Sequence, residues 1–319
     1  MIKSEEQFID FISNNFNKIK NIPDSWIGIG DDAASIDLSN KNVIFCSDAM
    51  VEDVHFRSSH GYESVGWKSI VSNQSDLAGM GAFASAFTIS LGINSDFSDK
   101  DISLLYKGMN DACESYGGYL VGGDVVNSEK IFISISAIGE LYKKNSLMLR
   151  NKANVGDLIA VTGEIGEAGA GFFALEKELS NYKKQKESFL KPKPRIHESK
   201  NAIKNGIICG MDLSDGLQKD LSRISNSSKV SIEIDLDSIP FDKELNKLYK
   251  KDLFEKLISS GEDYQLILIG DMESIKKMSI KNEITIIGKV VNNNTSELIF
   301  MSSKKNIKIK SKGFDHFGK

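Results

Sequence analysis

Ser75-Asp76-Leu77-Ala78-Gly79-Met80-Gly81-Ala82 closes a helical pattern and leads into a strand pattern, and the elements around it decide the fold. Upstream, residues 63–80 carry helical periodicity. Downstream, Ala84 to Ile93 reads as a strand and 99–116 as an amphipathic helix. Tyr119 to Val121 is a strand expected to stop at Gly122-Gly123-Asp124. Ile131, Ile133, Ile135 and Ala137 then alternate with Phe132, Ser134 and Ser136, the period of a strand. Helices and strands mix without a strict βαβ rhythm, which predicts an α+β fold rather than a doubly wound sheet.

Toward the N-terminus, residues 4–18 place Phe8, Ile9, Phe11, Ile12 and Phe16 at helical spacing behind Ser4, a candidate N-cap. Val43 to Cys46 is a short strand expected to run into an acidic loop at Ser47-Asp48. Toward the C-terminus the pattern restarts around Asn151 to Gly156, which divides the chain into domains 1–147 and 148–319. A strand over Asp157 to Val161 precedes Gly163, Gly166, Gly169 and Gly171, which fit either a packing turn or a phosphate-facing helix N-terminus. The lysine-rich stretch 181–194, with Pro192 and Pro194, reads as an exposed connection. Helix 196–205, strand 207–211, helix 216–226, strand 230–235 and strands Tyr264 to Ile269 and Ile284 to Val291 complete the pattern.

Among 319 residues, 40% are hydrophobic and 26% charged, a globular balance that argues against disorder. The formal charge of −4 supplies no basic field for nucleic acid. Cys46, Cys113 and Cys209 lie far apart, with no zinc or redox spacing, which fits a reducing compartment. No apolar stretch is long enough to span a bilayer, and Met1 to Asn21 has no signal-peptide core. A soluble cytoplasmic protein is expected, without nucleic-acid or membrane partners.

The carboxylates are placed unusually. They fall in short turns flanked by Gly or Ser: Gly30-Asp31-Asp32, Ser47-Asp48, Glu52-Asp53, Ser75-Asp76, Gly123-Asp124, Asp212-Leu213-Ser214-Asp215-Gly216 and Gly261-Glu262-Asp263. An isolated Asp beside Gly is usually just a turn residue. Asp215 also fits a helix cap, and Asp76 a helix-surface charge. A series of such turns points instead to hard oxygen ligands for magnesium. Gly61-Tyr62-Glu63-Ser64-Val65-Gly66-Trp67-Lys68-Ser69 mimics a phosphate loop, but one extra residue precedes the lysine and no strand precedes the loop. Gly28-Ile29-Gly30-Asp31-Asp32-Ala33 mimics a dinucleotide fingerprint, but paired aspartates would repel a pyrophosphate. His55, two residues after Asp53, is a candidate substrate contact or a structural histidine. Arg150 fits a phosphate clamp and a plain surface charge equally.

In their order, GIGDDA, SDAMVEDVHF, SDLAGMGA, GGD, MDLSDGL, SGEDY and GFDHF resemble the thiamine-monophosphate kinase family of the aminoimidazole-ribotide-synthetase-like superfamily, over nearly the whole chain. The resemblance implies two α/β domains, with N-terminal strands forming a barrel at a homodimer interface, and ATP with several magnesium ions in the cleft between the domains. It implies magnesium-binding roles for Asp32, Cys46, Ser47, Asp48, Asp76, Asp124, Asp212 and Asp215. It also implies nucleotide contacts at Tyr106, Gly123, Asp124, Arg150 and Ser214, and contacts to thiamine monophosphate at His55, Glu262 and Phe314. Val125-Val126 stands where the family commonly has threonines, and Cys46 where it often has serine. The reaction implied is ATP-dependent phosphorylation of thiamine monophosphate to thiamine diphosphate, by in-line transfer to a phosphate that is already ionised. No general base is then needed. Two dianions about 4 Å apart repel by on the order of 15 kcal/mol at an effective dielectric near 20, which explains the need for clustered cations. Selenophosphate synthetases share the superfamily, but residues 1–25 lack the cysteine they require. The remaining rivals are another ATP-using enzyme of the superfamily and a magnesium-nucleotide binding module without turnover.

Overall fold

The computed structural model describes residues 31–38, 41–281, 284–291, 295–310 and 313. The expected helix over 4–18, the glycines of GIGDDA and the aromatic Phe314 lie outside the described residues.

Strands β1 (Ala34–Leu38), β2 (Lys41–Val51), β3 (Ala82–Ile93), β4 (Tyr119–Asn127) and β5 (Phe132–Leu141) form one sheet in the order β1-β2-β5-β3-β4. All neighbours are antiparallel except β3 and β4. Helices α1 (Tyr62–Gly79) and α2 (Asp99–Tyr116) pack together on this unit. In α2, Leu105, Gly108, Met109 and Ala112 are buried at helical spacing. Ser98 caps its start reciprocally with Asp101. Gly66 of the phosphate-loop mimic belongs to the crossing with α2: a Cβ there would fall 1.9 Å from the Leu105 carbonyl oxygen.

The second unit holds β6 (Leu158–Val161), α3 (Glu167–Glu176), α4 (Lys183–Leu190), α5 (Ile196–Lys204), β7 (Cys209–Leu213), α6 (Leu217–Ser228) and β8 (Ser231–Asp235). It continues with α7 (Glu244–Tyr249), α8 (Leu253–Ser259), β9 (Gln265–Gly270), α9 (Met272–Ser279), β10 (Thr285–Val291), β11 (Leu298–Ser302) and β12 (Lys305–Asn306). Its sheet runs β12-β11-β8-β10-β6-β9-β7, with β11 and β8 parallel. The mixed order is the α+β arrangement expected. Each unit has its own apolar core, and a third cluster, including Ala78, Met148, Ile203 and Leu268, joins them. No described helix is long and apolar enough to cross a membrane.

Three expectations change. The β2 ladder continues through Ser47 and Asp48, so the acidic loop is the middle of a strand. β4 likewise runs through Gly122-Gly123-Asp124, because pairing with β3 overrides the turn preference of those residues. Residues 181–194 contain α4, whose Gln185 and Phe189 are buried, and Trp67 Nε1 donates to the Pro192 carbonyl at 2.8 Å. Five lysines in this stretch concealed two inward positions. The first sheet is open among the described residues, which form no closed barrel by themselves.

Candidate functional site

A cleft of about 1590 Å³ opens between the units. Asp32, Cys46, Ser47, Asp48, His55 and Asp76 line it from the first, and Arg150, Asp212, Ser214, Asp215 and Glu262 from the second.

Strand alternation fixes part of this arrangement. Ile44, Cys46 and Met50 are buried on one face of β2, and Asp48 shares that face. Ser47 takes the opposite face, where its hydroxyl meets that of Ser136 at 3.5 Å. Helix α1 reaches β7 and β9 of the second unit as well as its own sheet. It therefore buries polar side chains that a surface helix would expose, including Lys68, Ser72, Asn73, Gln74 and Ser75. At its C-terminal end the chain passes close to two other segments. Asp212 N donates to Asp32 Oδ2 at 3.1 Å, and Ser75 Oγ donates to Asp212 Oδ2 at 2.8 Å. A Cβ on Gly79 would fall 2.2 Å from Asp32 Oδ2 and 2.8 Å from Asp212 N. Gly79→Ala is therefore expected to destabilise the protein by roughly 1–3 kcal/mol through overpacking, read as a lower denaturation midpoint. A midpoint at or above the parent's would show that this approach is loose.

The charges explain what such a cluster wants. Burial pushes the Asp48, Asp76 and Asp212 carboxyls above the ordinary range, and neighbouring carboxylates push them further. The Cys46 thiol is raised by burial and then by Asp76, Asp48 and Asp212, so it stays protonated and donates to the Asn73 carbonyl at 3.6 Å. The Arg150 guanidinium ion-pairs with Asp32, and its backbone N–H donates to Asp31 Oδ1 at 3.0 Å. Asp215 does not cap α6. Its carboxylate faces Arg223 at 2.6 Å and Lys219 at 3.3 Å. The turn carrying Ser214 and Asp215 is held by Asp220, whose Oδ2 accepts both backbone N–H groups. Burial raises Asp220 to about 7.

The N-terminus of α3 also has an answer. Asp263 accepts from Gly166 N at 2.6 Å and Ala168 N at 2.9 Å. A side chain already fills the position a phosphate would need, so the glycine run is a packing and capping device.

Not every expected residue reaches the cleft. Tyr106 is half-buried against the first core. Gly123 and Asp124 lie exposed on edge strand β4. Phe314 is outside the described residues, although Gly313 lines the cleft. Residues not foreseen include Lys68, Ser72, Ser75, Asp220 and Arg223, together with an aromatic wall of Phe172, Phe173 and Phe189. Lys68, Ser72 and Asp76 stand at i, i+4 and i+8, a spacing that marks one helix face. That signal was available in the sequence; the aromatic wall had none. Among the described residues, the three acidic groups whose ligand atoms lie mutually within 4.8 Å are Glu164, Glu167 and Asp242, on the second unit. Lys184 ion-pairs with all three, so an ammonium already serves them.

Models of the AIR synthase related protein match this chain, the N-terminal domain over residues 30–141 and the C-terminal domain over 154–300. The chain is 33% identical to the thiamine-monophosphate kinase of Bacillus subtilis (strain 168), covering 91% of this chain and 93% of that protein. It is 36% identical to the thiamine-monophosphate kinase of Buchnera aphidicola subsp. Schizaphis graminum, covering 96% of each. A solved structure described as AaThiL complexed with AMPPCP and TMP superposes with a TM-score of 0.86 at 31% identity, over 98% of this chain and 97% of that one.

Proposed function

The chain belongs to the AIR synthase related family and, within it, to the thiamine-monophosphate kinases, and on that premise we propose that its cleft transfers a phosphoryl group from ATP to thiamine monophosphate, giving thiamine diphosphate. The observation that carries this reading is the convergence of Asp32, Asp48, Asp76, Asp212 and Asp215, from both units, on one cleft.

The donor set fits magnesium: hard carboxylate oxygens, several of them buried and raised by mutual repulsion that a divalent cation relieves. Bound there, magnesium supplies charge neutralisation for the phosphate oxygens. Cys46 and Ser47 border the same strand position, and with the thiol protonated any Cys46 contribution comes through its backbone. Arg150, paired with Asp32, is positioned to hold a nucleotide phosphate, and Ser214 sits on the turn that Asp220 braces. His55 and Glu262, with Phe314, are assigned to the thiamine moiety. An acidic group and an aromatic wall suit a fixed thiazolium cation. The acceptor phosphate is ionised at neutral pH, so the chain's task is to orient two phosphates and exclude water.

Tyr119, Val121, Val125 and Val126 leave an apolar edge exposed on β4. We place the second copy of a homodimer there, where the barrel would close and where Gly123, Asp124 and Tyr106 would serve a shared site. The domain division falls at 147/148, and three free cysteines suit the cytoplasm.

Product analysis tests the reaction. Thiamine monophosphate with ATP and magnesium is expected to yield thiamine diphosphate, and free thiamine to yield no phosphorylated product, because the acceptor is held by its phosphate. Equal or greater turnover of free thiamine would sink the assignment.

A further inference from the structure

Lys68 is a lysine with 3% of its surface exposed, on a helix buried nearly all round. Burying an ammonium is costly unless it is paired. Its Nζ lies 2.6 Å from Glu262 Oε1 and 3.9 Å from the centroid of the Phe189 ring. Lys68 belongs to the first unit, and Glu262 and Phe189 to the second, so one buried charge ties three segments across the cleft.

The partner carboxylate is also held by its own backbone. Glu262 adopts φ +66°, a left-handed conformation unusual for a residue with a side chain. The loop keeps it because Glu262 N donates to Ser214 O at 2.7 Å and Tyr264 N to Leu213 O at 2.9 Å, while Asp263 caps α3. Strain of this kind persists only where the surroundings over-determine it. On α1, Lys68 shares a face with Ser72, which hydrogen-bonds the Asp48 carboxyl, and with Asp76. Eight residues at 1.5 Å rise separate Lys68 from Asp76 by about 12 Å. One rigid helix thus carries both the aspartate end of the cleft and the anchor of Glu262.

We infer that Lys68 is a positioning residue, which holds the Glu262 carboxylate at a set distance from the aspartate cluster and so selects the organic half of the phosphorylated substrate. This rests on the proposed contact between Glu262 and thiamine monophosphate. Lys68 acts through Glu262 and is not assigned a contact with the reacting atoms. The ion pair would otherwise be a plain stability device, and the two roles separate in kinetics. A stability device lowers the melting temperature without choosing between substrates.

The test is a double-mutant cycle on the full chain, read as KM for each substrate. Lys68→Met is expected to raise KM for thiamine monophosphate about tenfold while KM for ATP stays within about twofold. In a Glu262→Gln background the same substitution is expected to change KM for thiamine monophosphate less than about twofold, since the group it positions is gone. An unchanged KM in folded Lys68→Met, an equal rise for ATP, or a full effect persisting beside Glu262→Gln would each overturn the inference. If Lys68→Met does not fold, Lys68→Gln is read in the same way. Glu262→Gln alone must then raise KM for thiamine monophosphate at least as far, and a failure to do so overturns the inference too. A parent protein inactive on thiamine monophosphate sinks the functional reading and this one together, whereas an active parent with a failed cycle sinks only this one.

Discussion

Asp48→Asn is expected to lower turnover at least about 100-fold, equivalent to about 2.7 kcal/mol of transition-state stabilisation. Asparagine keeps the shape of the side chain in the middle of β2 but removes the charge that would hold a cation beside Asp76 and Asp212. The same substitution should not destabilise the metal-free fold. Asp48 and Asp212 are among the charges that raise the Asp76 carboxyl, so removing one relieves like-charge repulsion. The expected signature is therefore a midpoint equal to or above the parent's without metal, with activity lost. Such opposition between stability and function is common where a site concentrates charge. Asp99→Asn, at the exposed start of α2, is expected to match the parent in rate. Near-normal turnover in folded Asp48→Asn would remove the aspartate cluster from the mechanism.

Magnesium is expected to raise the melting temperature of the parent protein, and more so with a non-hydrolysable ATP analogue. At a hundredfold excess over its dissociation constant, a ligand specific to the folded state adds about 2.7 kcal/mol per independent site. For a chain of this length that is a shift of roughly 5 °C. Sodium at matched ionic strength should do far less, since screening does not replace coordination. The pH dependence has a definite sign. Asp48, Asp76 and Asp212 have folded-state carboxyls raised above their unfolded values, chiefly by burial. Their contribution to stability is thus fully present below the unfolded carboxylate range and is lost as pH rises through the raised folded values. The metal-free protein should accordingly melt lower at pH 8 than at pH 5, and saturating magnesium should narrow the gap. Scanning calorimetry at both pH values, with magnesium or sodium, measures this. Equal responses to the two cations, with or without nucleotide, would refute a preformed site.

The sequence by itself determined the elements whose signals are local. The alternation of Ile131, Ile133, Ile135 and Ala137 became β5, and the periodicity over 99–116 became α2 with the same bounds. The aspartates of SDLAGMGA and MDLSDGL were legible as a charge set, because hard ligands in short segments stand out against a globular composition. Tertiary structure decided where those side chains point and what answers them. Ser47 and Asp48 read as one acidic loop, but β5 pairing put them on opposite faces of a strand. Asp124 read like Asp212, yet it lies on an edge strand away from the cleft of its own chain. Lysines over 181–191 suggested solvent, while Phe189 among them turned inward to face Lys68. Hydrogen-bond ladders and buried ion pairs join residues far apart in the chain, as with Lys68 and Glu262. A periodicity reports only which face a residue shares with its near neighbours, so partners at such separations are fixed only when the two units pack.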